Sequence, residues 1–204
     1  MKSLYTNLVT RMLPLVFSAC RAQRLSILIY HRVLPERDPM RPGEPTIDEF
    51  DVQMKIVREY FHALPLVEAV ERLQAGTLPD SAVCVTFDDG YADNETHAMP
   101  VLKKYGIPAT VFVSTGFLNG GRMWNDSVIE VVRNYQGEVL DLRELDLDCY
   151  TVRSDEQRRA AVDSILRQIK HLDPQIRIEL VNDIQTRGAA LPDDLMLTDA
   201  QLRS

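Results

Sequence analysis

Asp88 and Asp89 are adjacent, with Gly90 after them and the apolar run Ala82-Val83-Cys84-Val85-Thr86-Phe87 before them. Neighbouring carboxylates repel and resist desolvation, so packing alone gives little reason to set them at the mouth of a buried strand. Side chains alternate along a strand, but the chain is leaving its strand here. Gly90 permits a sharp turn, so both carboxylates can face one cavity. One can then hold a hard or borderline cation, and the other can take a proton from water bound to that cation. Asp-Asp-Gly is equally an ordinary turn sequence, and the tripeptide alone leaves both readings open.

The elements that must position this pair follow from hydrophobic patterning. Leu25 to Tyr30 reads as a first buried strand, and Leu34 to Pro45 as a loop with four prolines and a glycine. Thr46-Ile47-Asp48-Glu49 is a capping box, after which Phe50, Met54, Val57 and Phe61 trace one face of a helix. A short strand over Ala63 to Leu66 and a helix over Val67 to Gln74, closed by Gly76, lead to the strand that delivers the aspartates. A helix ends at Lys103-Lys104-Tyr105-Gly106, where cations and glycine suit a C-terminus, and Ala109 to Val113 is the next buried strand. This alternation predicts parallel βαβ units and an α/β fold.

Beyond Trp124 the pattern turns helical. Ser127 to Asn134 reads as a helix, with Asp126 fit to be its N-cap, and Leu140 to Val152 as irregular chain or a small hairpin. Ser154-Asp155-Glu156-Gln157 is a second capping box, feeding a helix with Ala161, Val162, Ile165, Leu166 and Ile169 inward. Asp173-Pro174 starts another helix that runs to Arg187-Gly188. Arg158, Arg159, Arg177 and Glu179 read as a solvated face. Thr198-Asp199-Ala200-Gln201 is a third capping box with three residues after it, which suggests a fragment of a longer protein.

With 204 residues, 45% apolar, the chain can bury one ordinary core. A net charge of −7 argues against a nucleic-acid partner, since phosphate binding needs a basic face. Cys20, Cys84 and Cys149 are odd in number and widely spaced, so neither a disulfide scaffold nor a Cys-zinc site is expected, and Cys84 reads as a small buried hydrophobe. At the N-terminus Leu4, Leu8, Met12, Leu15 and Val16 recur at helical spacing, which predicts an amphipathic surface helix. The stretch Phe17-Ser18-Ala19-Cys20 is similar to a lipoprotein cleavage site, but Arg11 and a short apolar run weaken export as a reading. No apolar run reaches the length of about 18 to 20 residues that a membrane span needs.

The stretch Val85-Thr86-Phe87-Asp88-Asp89-Gly90-Tyr91-Ala92-Asp93-Asn94 resembles the first motif of the polysaccharide deacetylase (NodB homology) family. Ile29-Tyr30-His31-Arg32-Val33, Tyr105 to Val113 and Gly121-Arg122-Met123-Trp124-Asn125-Asp126 extend the resemblance over roughly residues 25 to 133. It implies a metal-dependent amidase that acts on an N-acetylated glycan and is built on a distorted (β/α) barrel. This chain would hold residues 1–24 as an N-terminal amphipathic segment and 25–126 as the N-terminal part of the deacetylase domain. Residues 127–204 would be a helical insertion and the start of a continuation, which makes the fold a partial barrel.

By the same resemblance Asp88 is the general base and Asp89 the first protein ligand of a divalent metal, zinc being the one implied. Such a metal lowers the pKa of its water to about 7 and polarises the amide carbonyl. His31, Tyr91 and Trp124 are then assigned to substrate contact. His31 reads equally as a strand-end histidine bonded to a neighbouring carbonyl, and Trp124 equally as a core anchor. The family's two further ligands form a His-x-x-x-His motif. No two of His31, His62, His97 and His171 lie within one helical turn, so that motif is absent. An inactive carbohydrate-binding or scaffold protein of the same fold is the alternative. A magnesium phosphatase with an aspartyl nucleophile is disfavoured, because it wants one residue between its two aspartates.

Overall fold

In the computed structural model, which describes residues 23–188 and 191–203, strand β1 (Ser26–Tyr30) is followed by α1 (Ile47–Tyr60), β2 (His62–Ala63), α2 (Leu66–Gln74) and β3 (Ala82–Phe87). A π-helical turn at Asn94–Ala98 then leads into α3 (Met99–Tyr105) and β4 (Ala109–Val111). The expected N-terminal helix and the cleavage-like stretch ending at Cys20 lie outside the described residues. Two compact units result: residues up to Glu36 with Glu44–Ser114, and Arg37–Gly43 with residues from Thr115 onward. The sequence expectation of a mixed α/β chain holds.

The first unit is organised around β3, whose residues are buried without exception, as its unbroken apolar run requires. Its partners all run parallel to it. β1 pairs along the length of β3 from Ser26↔Val83 to Tyr30↔Phe87. β2 meets the start of β3 at Ala82 and Val83, and β4 meets its end from Val85 to Phe87. The Thr46–Glu49 capping box forms as expected and starts α1, whose Phe50, Met54 and Val57 are buried. They pack with Val83, Val85, Phe87, Val101 and Leu102. Burying each such large apolar side chain is worth roughly 1.5–3 kcal/mol. Tyr30, Phe50 and Phe87 form an aromatic trio with centroids 5.1 to 5.9 Å apart.

β1 and β4 depart from the expectation of buried strands. Leu28 and Tyr30 pack against the core, but Ile27 is 46% and Ile29 61% exposed. Val111 and Phe112 are also exposed, and β4 stops two residues early. α1 covers one face of the sheet, and apolar composition cannot tell whether a strand is covered on both.

In the second unit α4 (Trp124–Asn134) precedes a hairpin of β5 (Val139–Asp141) and β6 (Cys149–Thr151), then α5 (Asp155–Ile169) and α6 (Pro174–Gln185). The hairpin pairs Leu140 with Tyr150. Val128, Val131, Val132, Leu140, Val152, Ile165, Ile169 and Ile184 fill its core, with Met40 from the proline-rich segment. Asp126 is not an N-cap. α4 begins at Trp124, and Asp126 lies in its first turn with a fully buried side chain, 2.6 Å from the Arg41 guanidinium. Arg158 is not part of a solvated face either. It donates to the carbonyls of Val132 and Tyr135 at the C-terminal end of α4, where a cation and a donor are both wanted.

The caps of α5 and α6 follow the sequence. Ser154 accepts from the Gln157 N–H and Asp173 from the Gln175 N–H, with Pro174 at the first helical position. The Thr198–Gln201 box also forms, on a single 3₁₀ turn at Gln201–Arg203. Among the described residues no helix is long and apolar enough to cross a membrane.

Candidate active site

The strand that delivers Asp88 ends in a backbone conformation that few residues adopt. Asp89 has φ +74° and Gly90 φ +79°, so two consecutive residues are left-handed. Aspartate tolerates this region better than most side chains do, yet strain of this kind costs on the order of 1 kcal/mol or more and gathers at functional sites. Gly90 is needed for a second reason. A Cβ built on it would lie 3.0 Å from Val113 Cγ1 and 3.3 Å from Val113 Cα.

Backbone hydrogen bonds fix the turn from both sides. The Asp88 N–H donates to the Tyr30 carbonyl at 2.8 Å, closing the ladder with β1. On the other side the Phe112 N–H donates to Phe87 O at 2.8 Å and the Ser114 N–H to Asp89 O at 3.0 Å. Asp88 and Asp89 are both half-buried. The carboxylates therefore sit at the carboxyl end of a parallel strand, where α/β folds gather their sites.

His31 follows Tyr30 as Asp88 follows Phe87, so the two occupy matching positions beyond the paired ends of β1 and β3. His31 is exposed. Tyr91 is only 2% exposed, and the Arg32 guanidinium lies 4.6 Å from its ring centroid. Trp124 belongs to the second unit, where it packs on the apolar core with Arg177 4.8 Å over its ring. His62 is on β2, with Nδ1 bonded to the Asp80 carbonyl at 2.8 Å.

Asp93 and Asn94, which have no assigned role in the sequence motif, are both buried next to the turn. Asp93 accepts from Arg32 Nε at 2.7 Å and from the Val33 N–H at 3.2 Å. Asn94 donates to the His31 carbonyl at 2.8 Å, and His97 Nδ1–H to the Val33 carbonyl at 2.8 Å. Burial pushes the Asp93 carboxyl up, against the opposing pull of Arg32. The available signal was two adjacent polar residues ahead of an apolar helix, but their partners lie about sixty residues earlier in the chain.

A catalytic zinc takes about three protein ligands. Among the described residues no group of three or more His, Cys, Asp or Glu side chains converges on a common point. The described residues thus supply carboxylate donors at Asp88 and Asp89 and do not by themselves fit the full set.

Comparison with known proteins bears out the resemblance. Residues 75–140 match the polysaccharide deacetylase family model. YxkH of Bacillus subtilis (strain 168), whose name proposes a polysaccharide deacetylase, is 38% identical over 92 residues. That match takes in 44% of this chain and 32% of YxkH, so the chain spans about a third of that relative's length. Among solved structures, the Streptococcus pyogenes deacetylase PplD in complex with acetate gives a TM-score of 0.44 at 21% identity, covering 81% of this chain and 82% of that one. IcaB from Ammonifex degensii gives 0.42 at 24% identity, covering 84% and 86%. The resemblance to the polysaccharide deacetylases is shown by sequence, and it spans the Asp88-Asp89-Gly90 turn.

Proposed function

We propose that this chain supplies part of the active site of a hydrolase that removes acetyl groups from N-acetylated glycans, and that its first unit is the start of a distorted (β/α) barrel. The observation that carries the reading is the Asp88-Asp89-Gly90 turn, two carboxylates on a left-handed bend at the carboxyl end of a buried parallel strand. In this reading Asp88 accepts the proton of the attacking water as its oxygen adds to the acetyl carbonyl carbon. That proton passes to the leaving nitrogen as the C–N bond breaks, giving acetic acid, which ionises to acetate, and a free amine on the sugar. Asp89 is the carboxylate assigned to a divalent cation, zinc by resemblance. His31, exposed and one residue beyond the β1 end that pairs with β3, is the group assigned to substrate contact in the first unit.

Release of free amine from N-acetylglucosamine oligomers, measured on the whole natural protein, tests the reading. Asp88→Asn should retain metal and lose about 10²- to 10⁴-fold in kcat, because an amide cannot accept the water proton. Asp89→Ala should lose metal and rate together. An active Asp88→Asn removes the base from the mechanism. Oligomer binding by the unsubstituted protein with no amine release supports the carbohydrate-binding alternative instead.

A further inference from the structure

The β1–β3 ladder ends where the candidate site begins. Its last hydrogen bond is donated by Asp88 itself to the Tyr30 carbonyl, and nothing in the ladder holds residues 31–33. Side chains from beyond the turn take over that task. Asn94 Nδ2 donates to the His31 carbonyl, Asp93 Oδ2 accepts from Arg32 Nε, and Asp93 Oδ1 accepts from the Val33 N–H. Three consecutive residues of one segment are gripped by two consecutive residues of another. Asp93 is 5% and Asn94 4% exposed, so these bonds are shielded from competing water. Arg32 in turn covers the buried Tyr91 ring, one residue after Gly90.

We propose that Asp93 and Asn94 are positioning residues for the candidate site. They fix the end of β1 that carries His31 against the turn that carries Asp88 and Asp89. Displacement of residues 31–33 strains the Tyr30 carbonyl, and that carbonyl holds the Asp88 backbone. The two side chains therefore set the backbone position of the proposed base without touching substrate. The importance of this role rests on the hydrolase reading above, but its geometry does not.

Amide hydrogen exchange on this chain tests the geometry without requiring turnover, so failure of the hydrolase reading leaves the outcome unchanged. Asn94→Ala removes the bond to His31 O, and Asn94→Asp removes the donor while keeping the shape. In both, protection of the Asp88 and Val33 amides should fall about tenfold more than that of the Leu64 amide, the scale of one lost buried hydrogen bond. The Leu64 N–H donates to Val83 O near the far end of β3 and serves as the internal reference. The Asp88 amide resonance should shift in both variants, while that of Leu64 stays in place. An equal loss at all three amides means a general stability role and overturns the proposal. Should either variant fail to fold, native-state exchange of the unsubstituted chain in rising urea decides the matter. Val33 and Asp88 should then open as one unit, and separate opening isotherms overturn the coupling.

Discussion

Replacement of Gly90 by alanine isolates the two demands that the turn makes on its backbone. The first is conformational: at φ +79° an L side chain costs about 1 kcal/mol relative to glycine. The second is steric. The new Cβ would lie 3.0 Å from Val113 Cγ1, which a side-chain rotation can relieve, and 3.3 Å from Val113 Cα, which only a backbone shift can relieve. Overpacking of this size adds about 1 kcal/mol, so the total is about 2 kcal/mol. Gly76 at φ +70° and Gly106 at φ +62° are natural controls, because nothing lies within 4 Å of a Cβ built on either. Alanine there should cost only the conformational part, about 1 kcal/mol. Urea denaturation followed by far-UV circular dichroism gives all three values. Val113→Ala in the Gly90→Ala background should recover part of the steric cost as a coupling energy. Equal costs at Gly90, Gly76 and Gly106, or no coupling to Val113, would refute the close approach of these two strand ends.

Three further outcomes are expected. Burial raises the Asp93 carboxyl in the folded state, so folding takes up protons between its ordinary value and the raised one. That contribution to stability is present at the acidic side of this window and is lost as pH rises through it. The corresponding slope in urea midpoint against pH should vanish in Asp93→Asn, and an unchanged slope would assign it to another group. Arg41→Ala takes the guanidinium from Asp126, whose side chain is fully buried, and should cost about 3–5 kcal/mol in urea denaturation; a cost below about 1 kcal/mol would show the pair to be solvated in solution. Ile27 and Ile29 leave an apolar face exposed on β1, so the isolated chain should self-associate in analytical ultracentrifugation and Ile29→Lys should reduce this. A monodisperse parent chain at the same concentration counts against that exposure.

Local chemistry was legible in the sequence and distant chemistry was not. The capping box at Thr46–Glu49, the Asp173-Pro174 helix start and the glycine after Tyr105 are fixed by neighbours in the chain, and each element begins or ends where those signals stand. The Asp88–Asp89 pair was visible for the same reason, since strand, carboxylates and glycine are contiguous. The exposure of Ile27, Ile29 and Phe112 was hidden, because apolar side chains on a strand do not reveal which face a helix covers. Asp126 looked like a cap and is half of a buried ion pair whose partner lies 85 residues earlier. Arg158 looked like surface charge and closes the end of another helix.

The turn itself shows why adjacency in sequence can become a site. On a regular strand Asp88 and Asp89 would point to opposite faces and could not act on one ligand. The left-handed backbone at Asp89 breaks that alternation one residue before the glycine, at the position where an L-residue has to bear the strain. What offsets the strain is visible on both flanks. Tyr30 O holds the Asp88 N–H, Ser114 N–H holds Asp89 O, and Val113 leaves no room for a side chain at residue 90. β1 and the residues that extend β4 thus clamp the bend from either edge of β3, and the buried Asp93 and Asn94 secure the β1 side. Of the three elements whose ends meet at this point, β3 and β4 lie within residues 75–140, which match the deacetylase family model, and β1 lies ahead of them. A fold that needed only a turn between β3 and the following helix could have used Asn-Gly with no strained carboxylate. The strained carboxylate at Asp89 is thus the feature of this turn that the proposed hydrolase reading uses and a simple chain reversal does not require.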